Sequence, residues 1–289
     1  MKSEPCKDPA LIGLEAEALR HSLRRPDGRR NVVNVGDVAI GGERIVIAAG
    51  PCAVEPNDSL RLTALGVASA GATILRGGAY KPRTSPYDFQ GLEKEGLLLL
   101  DEVRAETGLP VVTEVLDPRD VDLVASHADM LQVGSRSVQN VPLLREVGAS
   151  GHPVLLKRGL MTTVFEWLSA AEYIIEAGGG DAPVVLCERG IRTFEPTTRN
   201  TLDLNAVALL RELSRLPMIV DPSHGTGRAD LVPAMSRASL AAGADGLLVE
   251  VHASPGDSWS DAAQTLGLSS FAKLVGECRT LALALGRDL

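Results

Sequence analysis

The sequence predicts a (β/α)8 barrel preceded by a short N-terminal extension. Eight short, β-rich apolar runs recur along the chain, and most are followed by a polar turn and a helix-like stretch. Continuous apolar strands that alternate with helices indicate a parallel sheet covered on both faces. Eight such units occupy about 250 residues when they close into a barrel, which fits residues 44–289. An open, doubly wound sheet is the alternative for the same pattern.

The individual strands and helices have their own sequence signals. Four of the predicted strands begin with proline, which a strand tolerates at its first residue. Gly108 and Gly178 follow two helix-like stretches at the point where a helix would stop. The predicted strands cover residues 44–49, 72–75, 110–115, 129–133, 153–157, 183–187, 217–221 and 245–251, and the clearest helices cover 92–107, 163–177 and 202–213.

Residues 1–43 precede the barrel and form the predicted N-terminal extension. The stretch "NVVNVGDVAIGGE", residues 31–43, has two short β-rich runs on either side of a "VGD" turn and predicts a hairpin. Residues 11–23 predict a helix before it. We expect the hairpin to close the bottom of the barrel.

Composition excludes several classes of protein. The 289-residue chain has a formal net charge of -8, which argues against a nucleic-acid partner, and the basic run "RRPDGRR" fits a solvated linker. No apolar run approaches the ~18 residues that a membrane span needs, and the N-terminus lacks a secretory signal. The four cysteines are scattered and form no disulfide or zinc pattern. These features predict a reduced, cytoplasmic protein.

Cations gather at the C-terminal ends of the predicted strands, where barrel enzymes carry their active sites. The loop "LRGGAYKPRTSPYDFQG", residues 75–91, is the most basic of these segments. Like charges repel one another unless anions share the site, and Arg binds phosphate and carboxylate in a bidentate way. The alternative is that each cation pairs with a local acid such as Glu114, Glu188 or Asp221. The candidate cations are Arg76, Lys81, Arg83, Arg136, Lys157 and Arg189.

Cys52, His224, Glu250 and Asp261 form a second candidate group. Thiolate, imidazole and carboxylate all bind divalent first-row metals. The segments that carry them follow the first, seventh and eighth strands, which are neighbours in a closed barrel. The alternative for Cys52 is a small core residue, which is the usual role of a cysteine after a buried strand.

The chain resembles the type I DAHP synthases (3-deoxy-D-arabino-heptulosonate 7-phosphate synthases), in the branch with a short barrel. The resemblance runs from about residue 33 to about residue 266, and "KPRTS" and "DPSHGTGR" are its most specific motifs. The other matching motifs are "AGPCAVE", "LRGGAYKPRTSPYDFQG", "QVGSRSVQN", "LLKRG", "LCERGIRTFEP", "GADGLLVEVH" and "SDAAQTL".

The resemblance implies a function and a role for each candidate residue. The reaction would condense phosphoenolpyruvate with erythrose 4-phosphate and release phosphate, as the first step of the shikimate pathway. Cys52, His224, Glu250 and Asp261 would bind a divalent metal ion, which would be Mn, Co, Fe or Zn. Phosphoenolpyruvate would contact Arg76, Lys81, Arg136, Lys157 and Arg189, and erythrose 4-phosphate would contact Lys81, Arg83 and Thr84. Besides the ligands Cys52 and His224, Lys157 would take part in catalysis as the residue that transfers protons.

Two other functions fit parts of the same pattern. A KDO 8-phosphate synthase would share the barrel and the cations, but those enzymes tend to have "KANRTS" where this chain has "KPRTS". A non-catalytic paralogue that binds a chorismate mutase is the second alternative. Residues 1–43 are too few for the regulatory domain or fused chorismate mutase of many relatives. We expect a homodimer or homotetramer. The roles of His252 and Trp259 stay open. For His252 the alternatives are support for Glu250 and simple packing.

Overall fold

Eight parallel strands close into a barrel in the computed structural model, which describes residues 16–56 and 58–289. The strand β10 pairs with both β3 and β9, so the sheet has no free edge and the open-sheet alternative is wrong. After a short hairpin of β1 (Val33–Val35) and β2 (Val38–Ile40), the barrel strands are β3 (Val46–Gly50), β4 (Ile74–Arg76), β5 (Val111–Glu114), β6 (Met130–Val133), β7 (Val154–Lys157), β8 (Val184–Glu188), β9 (Met218–Val220) and β10 (Gly246–Glu250).

Helices follow the strands and cover the outside of the barrel. The three clearest predicted helices are confirmed as α2, α5 and α6 to within two residues at each end. Gly108 ends α2 in the left-handed conformation, and Thr163 begins α5 with a capping box to Glu166. The helices are α1 (Asp58–Ala70), α2 (Glu93–Thr107), α3 (Val121–Ala125), α4 (Val141–Ala149), α5 (Val164–Ala177), α6 (Leu204–Leu213), α7 (Pro222–Thr226), α8 (Val232–Ala241) and α9 (Leu268–Ala284).

The hairpin of β1 and β2 lies against the N-terminal end of the barrel. Val33, Val35 and Ile40 are buried in one cluster with side chains of the barrel interior. The two ends of the hairpin approach Pro110 and Pro217, which precede β5 and β9. The apolar side chains of this hairpin therefore fill the bottom of the barrel, opposite the ends that carry the polar loops.

The helix expected at residues 11–23 differs from what the structure describes. Residues 11–15 lie outside the described part, and the remainder holds one 3-10 turn, Ala16–Ala18, and no α-helix. The backbone N–H groups of His21 and Ser22 donate to the carboxylate of Glu172 on α5, so they are not free for helical bonds. Leu23 then pairs with Ser214 in an antiparallel bridge. Tertiary contacts have replaced the helix that the apolar pattern favoured.

No helix in the two described ranges is both long enough and apolar enough to cross a membrane.

Candidate active site

A polar cavity of about 260 Å3 opens among the loops at the C-terminal ends of the strands. This is the end of the barrel at which the sequence predicted a site. Seven lysines and arginines line the cavity against three carboxylates, so its wall carries an excess of positive charge in an acidic protein. The cations in the wall are Lys81, Arg83, Arg136, Lys157, Arg189, Arg192 and Arg199.

Four side chains that can bind a metal ion form one group beside this cavity. Cys52 follows β3, His224 lies on α7, Glu250 ends β10, and Asp261 lies in the loop after β10. One ligand atom from each residue lies within 4.8 Å of the others. The segments meet because β10 pairs with both β3 and β9, as the sequence predicted.

The chemistry of this group fits a divalent metal ion. Cys52 Sγ lies 3.1 Å from Asp261 Oδ2 and 3.0 Å from Lys81 Nζ, so its surroundings are not those of an apolar core. Burial, with the charge of Glu250, raises the pKa of Cys52 to about 12. One thiol, one imidazole and two carboxylates form a mixed donor set suited to Mn2+, Co2+, Fe2+ or Zn2+.

Asp221 orients His224 and connects it to Lys157. The Oδ2 atom of Asp221 accepts hydrogen bonds from His224 Nδ1 and Lys157 Nζ, both at 2.7 Å. Burial alone would raise the pKa of Asp221, but the charges of His224 and Lys157 outweigh burial and hold that pKa well below its usual range. His224 therefore presents Nε2, which lies 3.3 Å from Glu250 Oε1, to the metal-binding group.

Two buried guanidinium groups are incompletely paired among the described residues: Arg189 has no carboxylate partner, and Arg76 has one but keeps an unpaired Nε atom. Arg189 is 4 % exposed, and within the described residues it forms no ion pair; its Nη1 atom donates to the carbonyl of Gly190. Burial lowers the pKa of Arg189. Arg76 does not line the cavity, and its Nη1 atom donates to Glu250 Oε1 at 3.0 Å. Its Nε atom is buried and has no hydrogen-bond partner. Such groups are costly unless an anion completes them.

Local acids neutralise some of the predicted cations but not all of them. Lys157 pairs with Asp221 at 2.7 Å and Arg76 pairs with Glu250 at 3.0 Å. Glu188, by contrast, pairs with Arg158 and leaves Arg189 without a carboxylate. Arg83 lies in a loose ion pair with Asp88, with Nε and Oδ2 3.6 Å apart, and its Nη1 atom donates to Ser260 Oγ at 2.8 Å. The two remaining cations contact neutral groups: Lys81 Nζ donates to the Cys52 carbonyl at 2.9 Å and Arg136 Nη2 to Thr84 Oγ1 at 3.4 Å.

Close backbone approach also shapes the wall of the cavity. Glu114 Oε1 lies so near Gly134 that a Cβ atom at this position would sit 1.9 Å away from it. A side chain at position 134 would require the Glu114 carboxylate to move, which accounts for the glycine of "QVGSRSVQN". Glu114 Oε2 accepts a hydrogen bond from Gln132 Nε2 at 2.9 Å.

The sequence did not identify Arg199 and Gln264 as site residues. Arg199 Nη1 donates to Asp261 Oδ1 at 3.0 Å and to Gln264 Oε1 at 2.8 Å. Gln264 Nε2 donates to Glu250 Oε2 at 2.5 Å, so Arg199 and Gln264 connect the two carboxylates of the candidate metal-binding group. Burial would raise the pKa of Asp261, but Arg199 and then His224 outweigh it and lower that pKa. The available signal was position, since Gln264 lies in the "SDAAQTL" motif.

The structure identifies His252 as a support for the loop that follows β10. His252 is 1 % exposed, and its Nε2 atom lies 3.2 Å from Glu55 Oε2 while its Nδ1 atom accepts from the N–H of Ser254. Glu55 Oε1 also accepts from the N–H of Trp259 at 2.8 Å. Glu55 therefore joins the Cys52 segment to the loop that carries Asp261.

Comparison with known proteins assigns the chain and its fold to a family. A family model described as the DAHP synthetase I family matches residues 21–284. The chain belongs to the DAHP synthetase I family. A phospho-2-dehydro-3-deoxyheptonate aldolase of Thermotoga maritima is 51 % identical over 255 residues, which are 88 % of this chain and 75 % of the relative.

Solved structures agree with this family assignment. The crystal structure of the Thermotoga maritima DAHP synthase superposes with a TM-score of 0.86 at 50 % identity, and covers 90 % of this chain and 76 % of that one. More distant relatives have a different name. A 2-dehydro-3-deoxyphosphooctonate aldolase of Syntrophotalea carbinolica is 32 % identical over 267 residues, which are 86 % of this chain and 94 % of that protein.

Proposed function

We propose that the protein is a 3-deoxy-7-phosphoheptulonate synthase, which condenses phosphoenolpyruvate with erythrose 4-phosphate. The observation that carries the proposal is Arg189, a buried guanidinium without a carboxylate partner, in the wall of a cavity that also contains His224 and Asp261 of the metal-binding group. A substrate with phosphate and carboxylate groups supplies the missing anions. The similarity to a relative of the same activity supports this assignment.

The reaction forms one carbon–carbon bond and one carbon–oxygen bond to water, and it breaks the carbon–oxygen bond of the phosphate ester. The enol carbon of phosphoenolpyruvate attacks the aldehyde carbon of erythrose 4-phosphate. Water adds to the carbon that carries the phosphate ester, and inorganic phosphate leaves. When bound by Cys52, His224, Glu250 and Asp261, a divalent ion supplies a Lewis acid for an aldehyde oxygen.

The cations of the cavity bind and orient phosphoenolpyruvate in this proposal. Arg136, Lys157 and Arg189 lie in the cavity wall, where their charges stabilise the anion without reorganising during the reaction. Lys81 contributes from beside Cys52, and Arg76 from the buried layer next to Glu250. Fixed cations of this kind favour the charge that builds up on the departing phosphate.

Lys157 is the residue to which we assign proton transfer. Its Nζ atom shares Asp221 Oδ2 with His224 Nδ1. A proton that Lys157 Nζ gives to the substrate leaves Asp221 still paired with His224, so the orientation of the imidazole is kept through the step.

The phosphate of erythrose 4-phosphate is assigned to Arg83 and Thr84, with Lys81 contacting the same sugar. Arg83, Thr84 and Pro82 all line the cavity. Pro82 fixes its own φ angle and therefore restricts the separation of the cations on either side of it. The identity of the metal, a cytoplasmic location, self-association into a dimer or tetramer and a chorismate mutase partner in trans stay predictions from the sequence.

The test of the proposal is the release of inorganic phosphate from phosphoenolpyruvate. The purified protein is supplied with erythrose 4-phosphate, phosphoenolpyruvate and Mn2+ or Co2+, and free phosphate is followed with time. We expect phosphate release that requires all three additions. No release under any of these conditions would favour the non-catalytic alternative. Release that requires an aldose phosphate other than erythrose 4-phosphate would favour a related sugar acid synthase.

A further inference from the structure

Two aromatic side chains join the loops on either side of the metal-binding group. Phe89 lies in the loop between β4 and α2, and Trp259 lies in the loop after β10. Their ring centroids are 5.1 Å apart and the ring planes meet at 88°, which is an edge-to-face contact. Trp259 is nevertheless 48 % exposed, so burial in the core does not account for its position.

The residues next to Trp259 connect directly to the metal-binding group. The Ser260 hydroxyl accepts a hydrogen bond from Arg83 Nη1 at 2.8 Å and lies 3.4 Å from Cys52 Sγ. Asp261 follows, and its Oδ2 atom lies 3.1 Å from Cys52 Sγ. Residues 259–261 are therefore held by the loop after β4 on one side and form part of the metal-binding group on the other.

The backbone of Asp261 adopts a less common conformation, which contacts on both sides hold in place. Its φ angle is +57°, in the left-handed region that costs free energy for a residue with a side chain. On the C-terminal side, the carbonyl of Asp261 accepts hydrogen bonds from Gln264 N and Thr265 Oγ1. On the N-terminal side, the support comes from the contacts of Trp259 and Ser260.

The loop that carries Phe89 is itself well anchored. Lys81 N donates to the carbonyl of Gln90 at 2.8 Å, and Tyr80 forms an antiparallel bridge with Gly91. These bonds tie the two ends of residues 81–90 together, so Phe89 is presented from a closed loop. A closed loop is a firmer base for the Trp259 ring than a free segment would be.

We propose that Phe89 and Trp259 form an aromatic latch between two loops: the loop of residues 81–90, to which the aldose phosphate is assigned, and the loop that carries Asp261. The latch positions Asp261 for metal binding. The latch is the edge-to-face pair of these two side chains. Both are positioning residues, because neither belongs to the metal-binding group. The assignment of the aldose phosphate to the loop of residues 81–90 rests on the proposed function. The expected effect of the latch on metal affinity does not. Loss of either ring removes one of the contacts that hold residues 259–261 in the conformation that Asp261 adopts, while the hydrogen bonds of Glu55 and Arg83 to this segment remain.

The test is the affinity for Co2+ alone, measured by titrating the metal-free protein and recording the absorption of the cobalt–thiolate centre. An aromatic pair of this kind contributes a factor of about 2 to 10 in an equilibrium constant. We expect F89L to bind Co2+ about 2- to 10-fold more weakly than the native protein, although Phe89 contacts no metal-binding residue. W259L and the F89L/W259L double variant should show the same loss as F89L, since the contact is already broken.

Two further variants separate the latch from general effects of substitution. Tyr87 lies in the same loop and is 95 % exposed, so Y87L is the matched control and should bind Co2+ like the native protein. W259F keeps an aromatic ring and should recover most of the affinity. The proposal is overturned by an F89L variant with native Co2+ affinity, or by losses that simply multiply in the double variant.

Phosphate release separates this proposal from the proposed function. If F89L binds Co2+ more weakly than the native protein, but the native protein never releases phosphate with erythrose 4-phosphate, the latch is supported and the proposed function is wrong. If the native protein turns over erythrose 4-phosphate and F89L binds Co2+ normally, the latch falls and the function stands.

Discussion

Glu188 and Arg189 are adjacent in the chain, but their charges do not pair with each other. Glu188 Oε2 accepts a hydrogen bond from Arg158 Nη1 at 2.9 Å, and Glu188 Oε1 accepts from the N–H of Gly190. Arg189 enters the cavity wall instead, and no carboxylate of the described residues lies within ion-pair distance of it. Glu188 therefore anchors the loop after β8, whereas Arg189 is available to bind an anionic ligand.

Replacing Arg189 separates these two roles. We expect R189A to lose about a hundredfold or more in kcat/KM for phosphoenolpyruvate, because a charge-assisted contact to a buried anion contributes ~2–4 kcal/mol. Its Tm should stay the same or rise, since the variant lacks a buried cation that has no anionic partner. Steady-state kinetics and thermal unfolding of the same preparation check both parts.

Arg158 provides the matched control for this prediction. R158A breaks a buried pair and leaves Glu188 without its cation, which should lower the free energy of unfolding by ~3–5 kcal/mol. An R189A variant that unfolds as early as R158A and keeps native kinetics would mean that Arg189 is structural.

The fold could be predicted closely because the relevant signals are local. Apolar runs of strand length, helix-like stretches and stop signals such as Gly108 fixed the order of the elements, and closure followed from their number. The exception was residues 11–23, whose apolar pattern favours a helix. In the described part, the backbone of His21 and Ser22 bonds to Glu172, which lies about 150 residues away. No local pattern reports a partner at that distance.

The site could be predicted only as a set of residue types. The four candidate metal ligands were suggested by their chemistry and strand positions and chosen through the family resemblance, and they lie close together in the structure. The pairing of each acid with a particular cation could not be predicted from the sequence, because it depends on the paths of the loops. Arg199 illustrates this: its backbone N–H bonds to the carbonyl of Thr226 after His224, and only then can its side chain reach Asp261.

Metal removal tests the group around Cys52. A chelator should abolish turnover, and Mn2+ or Co2+ should restore it, because the aldehyde oxygen then regains its Lewis acid. C52A should bind the metal much more weakly while circular dichroism shows that the barrel persists, since the strands hold it together. Cys187 is equally buried but lies in the barrel interior, so C187A should keep the native metal affinity. Full activity of dialysed, chelator-treated protein would contradict the assignment.

Asp245 tests the connection between the N-terminal extension and the barrel. Its carboxylate pairs with Arg30 of the extension at 2.7 Å and also contacts Arg211 and Arg287. Burial would raise the pKa of Asp245, but Arg30 outweighs it and the pKa is lowered. The carboxylate therefore contributes stability above about pH 4 and loses this contribution as the pH falls through the lowered folded-state value.

The corresponding variant is D245N. At about pH 7 its free energy of unfolding should be ~1–3 kcal/mol below that of the native protein, because three partly buried guanidinium groups lose their anion. The gap should narrow as the pH falls below about 4, because the unfolded-state carboxylate takes up a proton first and the native carboxylate only at the lower pH set by its lowered pKa. Urea unfolding at both pH values measures the gap, and a gap that stays constant would show that the charge of Asp245 is not the cause.

The choice between aldoses tests the central claim most directly. The phosphate end of the sugar is assigned to Arg83 and Thr84, the aldehyde end to the metal-binding group, and Pro82 restricts the span between them. One surplus carbon is worth roughly 10- to 200-fold in discrimination. The measurement is kcat/KM for erythrose 4-phosphate and for arabinose 5-phosphate, with saturating phosphoenolpyruvate and metal. We predict that erythrose 4-phosphate is favoured roughly 10- to 200-fold; equal or better use of arabinose 5-phosphate would contradict the assignment.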